Sequence, residues 1–159
     1  MSLAGKISIE VGIHSTAEKL FDIFSKKLHH VQNVAERVHG TKLHQGDDWH
    51  TNDSVKHWTY TVDGKTLTCY ESFESIDEKN KTIICKIFGE DIDKEFKVFR
   101  ITFQAIDKND PSTACIKWTI EYERVSKDVH PPHGYLEMYN KIIEDIDDHL
   151  VKEQESDNK

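Results

Sequence analysis

From Ser54 to Val125 apolar residues recur at nearly every second position, and from Tyr135 to Leu150 they recur at every third or fourth. The first period belongs to strands with one buried face, the second to an amphipathic helix. Only short turn signals separate the alternating segments, so consecutive strands must run antiparallel. What remains is one curling sheet with one long helix laid over its apolar face. A helix cannot fill the whole concavity of such a sheet, which predicts a cavity between them.

The segments can be placed in order. Lys56, Trp58, Tyr60 and Val62 share one face of a strand, opposite Val55, His57, Thr59 and Thr61. Asp63-Gly64 follows as a two-residue hairpin, since Gly takes the positive φ that such a turn needs. The return strand spans 65–75, and Asp77-Glu78-Lys79-Asn80 turns the chain into Thr82–Phe88. After a break at Gly89-Glu90-Asp91, residues 96–106 set Phe99, Ile101, Phe103 and Ala105 on one face. Asn109-Asp110-Pro111 leads into 113–125, where Ile116, Trp118, Ile120 and Tyr122 alternate with polar residues.

Upstream, Ile7, Ile9, Val11 and Ile13 form a first strand. Ser15 and Glu18 then make a capping box for a short helix carrying Ala17, Leu20, Phe21 and Phe24. A second short helix over 27–37 and a weak strand over 41–45 complete that region. Beyond Pro131-Pro132 the long helix presents an acidic outer face of Glu137, Glu144, Asp145, Asp147 and Asp148. Residues 1–152 read as a single domain and 153–159 as a flexible acidic tail. A chain of 159 residues fits this reading, because about 150 residues bury roughly two-thirds of their extended surface.

Composition narrows the function. A formal net charge of −8 argues against a nucleic-acid partner, whose phosphates attract clustered Lys and Arg. No apolar run approaches the about 20 residues of a spanning helix, so no membrane span is expected. Cys69, Cys85 and Cys115 sit in apolar runs without a CxxC pair, which predicts reduced thiols. The first residues lack the apolar core of a secretory signal. Together these point to a cytoplasmic, monomeric protein. Ten histidines show no metal-ligand spacing, so neither metal nor cofactor is expected. There is no GxSxG elbow, P-loop or GxGxxG. The loop Asp47-Asp48-Trp49-His50-Thr51-Asn52-Asp53 would repel a phosphate rather than cradle one.

The chain resembles a known group of plant proteins. Leu3-Ala4-Gly5-Lys6, Tyr60-Thr61-Val62-Asp63-Gly64-Lys65 and Ile76-Asp77-Glu78 are similar to the major latex protein-like group of the birch-pollen-allergen superfamily. So are Lys94-Glu95-Phe96-Lys97-Val98-Phe99 and Trp118-Thr119-Ile120-Glu121-Tyr122-Glu123. The resemblance implies an α+β helix-grip fold, with a seven-stranded curved antiparallel sheet around a long C-terminal helix and two short helices after the first strand. It also implies a large hydrophobic cavity. Relatives bind steroids, flavonoids, cytokinins and fatty acids, and a few are enzymes of alkaloid biosynthesis. The family's glycine-rich loop here reads Asp48-Trp49-His50-Thr51-Asn52-Asp53, without glycine, and its Glu-Gly-Asp reads Gly89-Glu90-Asp91.

The expected function is an intracellular carrier of small hydrophobic or amphipathic plant metabolites, linked to defence or stress. Two alternatives stand beside it: an acid–base cyclase, lyase or isomerase using the same cavity, and a protein-interaction role with an incidental cavity. The expected ligand contacts on the sheet are Trp58, Tyr60, Tyr70, Cys85, Phe99, Ile101, Phe103, Trp118 and Tyr122. On the helix they are Tyr135, Met138, Tyr139 and Ile142. No lysine or carboxylate is evident among the inward positions, with Glu71 and Lys86 assigned outward, and acid–base chemistry would need one. That favours binding over catalysis. A one-residue change of register would reverse the assignment.

Overall fold

The computed structural model describes residues 2–108 and 114–157. Seven strands form one antiparallel sheet in the order β1-β7-β6-β5-β4-β3-β2: β1 (Ala4–Ile13), β2 (Val38–Gln45), β3 (Val55–Val62), β4 (Lys65–Asp77), β5 (Thr82–Phe88), β6 (Phe96–Asp107) and β7 (Ala114–Arg124). Helix α1 (Ala17–Lys26) and a 3₁₀ turn (Leu28–Asn33) link β1 to β2, α2 (Glu90–Glu95) links β5 to β6, and α3 (His133–Asp157) closes the chain. The turn expected at Asn109-Asp110-Pro111, and Thr113, lie outside the described residues. No helix among the described residues is long and apolar enough to cross a membrane.

The strand calculus from alternation holds, and the hairpin at Asp63-Gly64 fixes its register. Both turn residues have positive φ, 52° and 77°, as a twist-matched two-residue turn requires. Tyr60 thereby pairs with Leu67, Trp58 with Cys69 and Lys56 with Glu71. Directly paired residues share a face of the sheet, so Cys69, Glu71 and Phe73 point inward, and all three are buried. Tyr70 points outward. There it packs against His44 and His57 at ring separations of 4.7 and 5.1 Å.

Four local expectations are corrected. The α1 cap is Thr16, whose Oγ1 accepts from the Lys19 N–H at 3.1 Å. Ser15 is engaged elsewhere, as Asp147 shows below. The second helix is only the 3₁₀ turn, and its end frees the chain to begin β2 at Val38, three residues earlier than expected. The break at Gly89 holds α2, whose Ile92 is buried. Gly89 has φ 79°, and a Cβ there would stand 2.6 Å from the Tyr70 ring, so only glycine fits. Helix α3 runs past residue 152 to Asp157 as exposed helix.

Asp147 was expected on the outer face of α3 but is only 4% exposed. Its carboxylate accepts from the backbone N–H groups of His14 and Ser15, each at 2.8 Å, and from Ser15 Oγ at 2.7 Å. Two residues earlier, Asp145 accepts from the Glu36 N–H at 2.9 Å and from Lys141 Nζ at 2.7 Å. The helix is thus held to the sheet by Tyr135, Met138, Tyr139, Ile142, Ile143 and Ile146 on its apolar face and tied at its flank by two carboxylates.

Candidate functional site

Between α3 and the concave face of the sheet lies a cavity of about 80 Å³. It is much smaller than the large cavity that the resemblance implied, and below the roughly 300–1,000 Å³ of ordinary small-molecule sites. Aromatic rings account for the narrowing. Trp118 stacks on Tyr139 at 4.7 Å and meets Phe103 edge-on at 5.2 Å. Phe24 of α1 fills the next space, 4.7 Å from Phe103. At the other end the hydroxyls of Tyr60 and Tyr135 share a hydrogen bond at 2.9 Å.

Ten of the expected contacts line this cavity: Trp58, Tyr60, Cys85, Ile101, Phe103 and Trp118 on the sheet, and Tyr135, Met138, Tyr139 and Ile142 on α3. Three do not. Phe99 is inward but sits behind Tyr135, with ring centroids 4.9 Å apart. Tyr122 is inward at the far end of β7, where its ring lies over Gly5; a Cβ on Gly5 would stand 2.6 Å from Tyr122 Cζ. Tyr70 is on the opposite face, as described. Sequence reading missed Phe24 and Leu28 from the helical segment, Val38, Cys69, Glu71 and Phe73 from β2 and β4, and Ile83 and Ile87 from β5.

Glu71 is the consequential omission. It is 8% exposed, lines the cavity, and its Oε1 has no hydrogen-bond partner among the described residues. Burial pushes its carboxyl above the usual range, opposed by the charge of Lys56 and by the nearby Trp58 indole N–H. Lys56, its cross-strand partner, is fully buried. The ammonium donates to Ser54 Oγ at 3.3 Å and sits 3.7 Å from the centroid of Phe73, a cation–π contact made strong by desolvation. Burial lowers its pKa, opposed by Glu71. No carboxylate oxygen lies within 4 Å of Nζ among the described residues, so the two charges face each other across a gap. Neither Trp58 Nε1, whose N–H stands near the Glu71 carboxyl, nor Trp118 Nε1 makes a hydrogen bond by geometry among the described residues. The thiols of Cys69 and Cys85 are free and buried, and burial raises both pKa values. They line the wall as small hydrophobes rather than nucleophiles.

The loop after β2, which carries Gly46 but no glycine over 48–53, lies at one end of the site. Ser54 Oγ, which receives the Lys56 ammonium, donates to the Thr51 carbonyl at 2.8 Å. His50 Nε2 accepts from the Leu28 N–H at 3.1 Å, and its ring lies nearly parallel to Phe73 with a 6.4 Å separation. Leu28 and Phe73 both face the cavity. Burial lowers the His50 pKa; Asp48 of the same loop opposes this, while His29 of the 3₁₀ turn and Lys56 of β3 reinforce it. A neutral ring is required, since a protonated Nε2 cannot accept. A depressed folded-state pKa favours the folded form above the ordinary value of 6.5 and penalises it as pH falls through that value. The expected result is that the stability gap between wild type and His50→Gln, read by urea unfolding, narrows from pH 7.5 to 5.5. The other nine histidines are common to both proteins, and an unchanged gap would remove His50 from the account.

A seven-stranded antiparallel sheet gripping a C-terminal helix, with a cavity at the grip, defines a helix-grip protein. The pathogenesis-related protein Bet v 1 family matches residues 2–153. The chain belongs to that family, among its major latex protein-like members. MLP-like protein 43 of Arabidopsis thaliana is 34% identical over 154 residues, covering 96% of this chain and 97% of the relative. The crystal structure of ginseng major latex-like protein 151 from Panax ginseng superposes with a TM-score of 0.86 at 28% identity, covering 92% of this chain and 97% of that one. Norcoclaurine synthase from Thalictrum, a point mutant in complex with a transition-state analogue, matches with a TM-score of 0.71 over 98% of both chains. At 14% identity it shares the fold alone.

Proposed function

We propose that the chain is an intracellular binding or carrier protein for a small hydrophobic or amphipathic plant metabolite, with a role in defence or stress. The mostly apolar cavity carries this reading: aromatic and aliphatic walls with a few polar groups are the usual form of such a site. Binding there draws on apolar burial, about 0.8 kcal/mol per methylene, less the cost of association.

Glu71 gives the acid–base alternative its one supporting observation, a buried carboxylate with a raised pKa facing the cavity. Glu71 is a carboxylate on the cavity wall, contrary to the expectation that no lysine or carboxylate stands among the inward positions. Binding remains the better reading because Lys56 does not line the cavity, which leaves Glu71 without a second titratable partner of ordinary pKa there. Tyr60, Tyr135 and Tyr139 all have theirs raised by burial and stay neutral.

Met138→Trp tests the site. Met138 is 4% exposed on the cavity wall, and the larger indole has only the cavity to enter. Titration with a fluorescent apolar probe should show binding weakened at least tenfold, with the circular dichroism of the variant unchanged. Equal affinity in the two proteins would place the ligand elsewhere.

A further inference from the structure

Three polar atoms on residues that line one apolar cavity, Glu71 Oε1, Trp58 Nε1 and Trp118 Nε1, make no hydrogen bond among the described residues, although the Trp58 N–H stands near enough to the Glu71 carboxyl to lower its pKa. Each belongs to a residue at least nine-tenths buried. A buried polar atom without a partner costs free energy, so three together mark the place where a ligand supplies the missing bonds. Glu71 and Trp58 stand on neighbouring strands, two positions apart in register and so on the same face, with Trp118 contributed by β7.

The chemistry of these groups selects among ligands. A hydrocarbon leaves all three atoms unpaired. A ketone or ether accepts from the indoles and offers Glu71 nothing. A carboxylate ligand meets the Glu71 carboxylate in a medium of low dielectric, where like charges repel strongly. An ammonium ligand at Glu71 adds a second positive charge beside Lys56, the cross-strand partner of Glu71, whose ammonium is already settled over Phe73. A hydroxyl both donates and accepts from one atom, so among these groups it satisfies the carboxylate and an indole N–H with no added charge. A cavity of about 80 Å³ limits the remainder to a compact body, and the stacked Trp118–Tyr139 pair offers it a flat aromatic wall.

We propose that the cavity binds a compact, neutral ring bearing a hydroxyl group, a phenol or small cyclic alcohol, with Glu71 accepting a hydrogen bond from the hydroxyl and an indole N–H donating to its oxygen. This rests on the cavity being the binding site. Polar groups left unpaired by a mismatched ligand discriminate more sharply than a misfit in volume, so the site should prefer the hydroxylated ring over its hydrocarbon counterpart.

The test compares 4-methylphenol with toluene and 4-methylbenzylamine by isothermal titration calorimetry. Wild type should bind 4-methylphenol at least tenfold tighter than either. In Lys56→Met/Glu71→Leu, which removes both buried charges together, the preference over toluene should fall to less than threefold while toluene still binds. Toluene binding wild type as tightly as 4-methylphenol would overturn the proposal and leave the cavity reading intact. So would a preference retained in the double variant, or tighter binding of the amine. If none of the three binds, the proposal and the cavity reading fall together. The wild-type comparison needs no variant, so a folding defect cannot obscure it.

Discussion

Asp147→Ala is expected to lower the unfolding free energy by about 3–5 kcal/mol, since hydrogen bonds to a charged group contribute roughly 1.5–3 kcal/mol each and are not additive. Its carboxylate is the shared acceptor for two backbone N–H groups and the Ser15 hydroxyl. Removing it leaves those donors unpaired beneath α3 and cuts the tie between that helix and the β1–α1 connection. Asp147→Asn keeps the shape but only one acceptor oxygen, and should lose less. Urea unfolding of the two variants checks the order. A loss below about 1 kcal/mol in Asp147→Ala would show that the apolar face of α3 holds the helix unaided.

The second large effect concerns the buried charges. Glu71→Leu should cost about 3 kcal/mol, because it strands the Lys56 ammonium in an apolar interior; replacing both members of a buried pair by apolar residues is often neutral or stabilising. Lys56→Met/Glu71→Leu should therefore recover most of the loss. The sign of this cycle matters more than its size. If the double variant is no more stable than Glu71→Leu, the two charges are not coupled across β3 and β4, and the Ser54 hydroxyl and the Phe73 ring suffice for Lys56.

Glu71 also shows how much of the site was legible in the sequence. The strands, the cavity-facing sides of β3, β6 and β7, and the helix that closes the cavity all follow from periods of two and of three to four. The β4 face was misassigned because both of its faces carry an aromatic residue, Tyr70 on one and Phe73 on the other, so local hydrophobicity does not choose between them. The hairpin does choose. With Asp63-Gly64 as a two-residue turn, Trp58 must face Cys69 and Lys56 must face Glu71, and the inward side of β3 dictates that of β4. Lys56 was in plain view beside Trp58 and Tyr60. Its burial was not, because the Ser54 hydroxyl and Phe73 ring that receive it come together only in the fold. Asp147 was hidden for the same reason: its partners lie 132 and 133 residues away.

The size of the cavity was the least legible quantity. Sheet curvature demands a space, but Phe24, Phe103, Trp118 and Tyr139 decide how much is left, through ring orientations that no periodicity encodes. A narrow cavity with unpaired polar atoms suits a compact ligand better than a steroid-sized one. Discrimination by hydroxyl position then matters more than bulk apolar area.

The most direct test of a ligand-binding role is native mass spectrometry of wild type and Met138→Trp after both are purified without denaturation from the same plant extract. Wild type is expected to carry a small organic molecule, recovered by solvent extraction, and Met138→Trp to carry markedly less of it. A wild-type protein that emerges at its bare sequence mass, or two proteins equally loaded with the same molecule, would contradict that role.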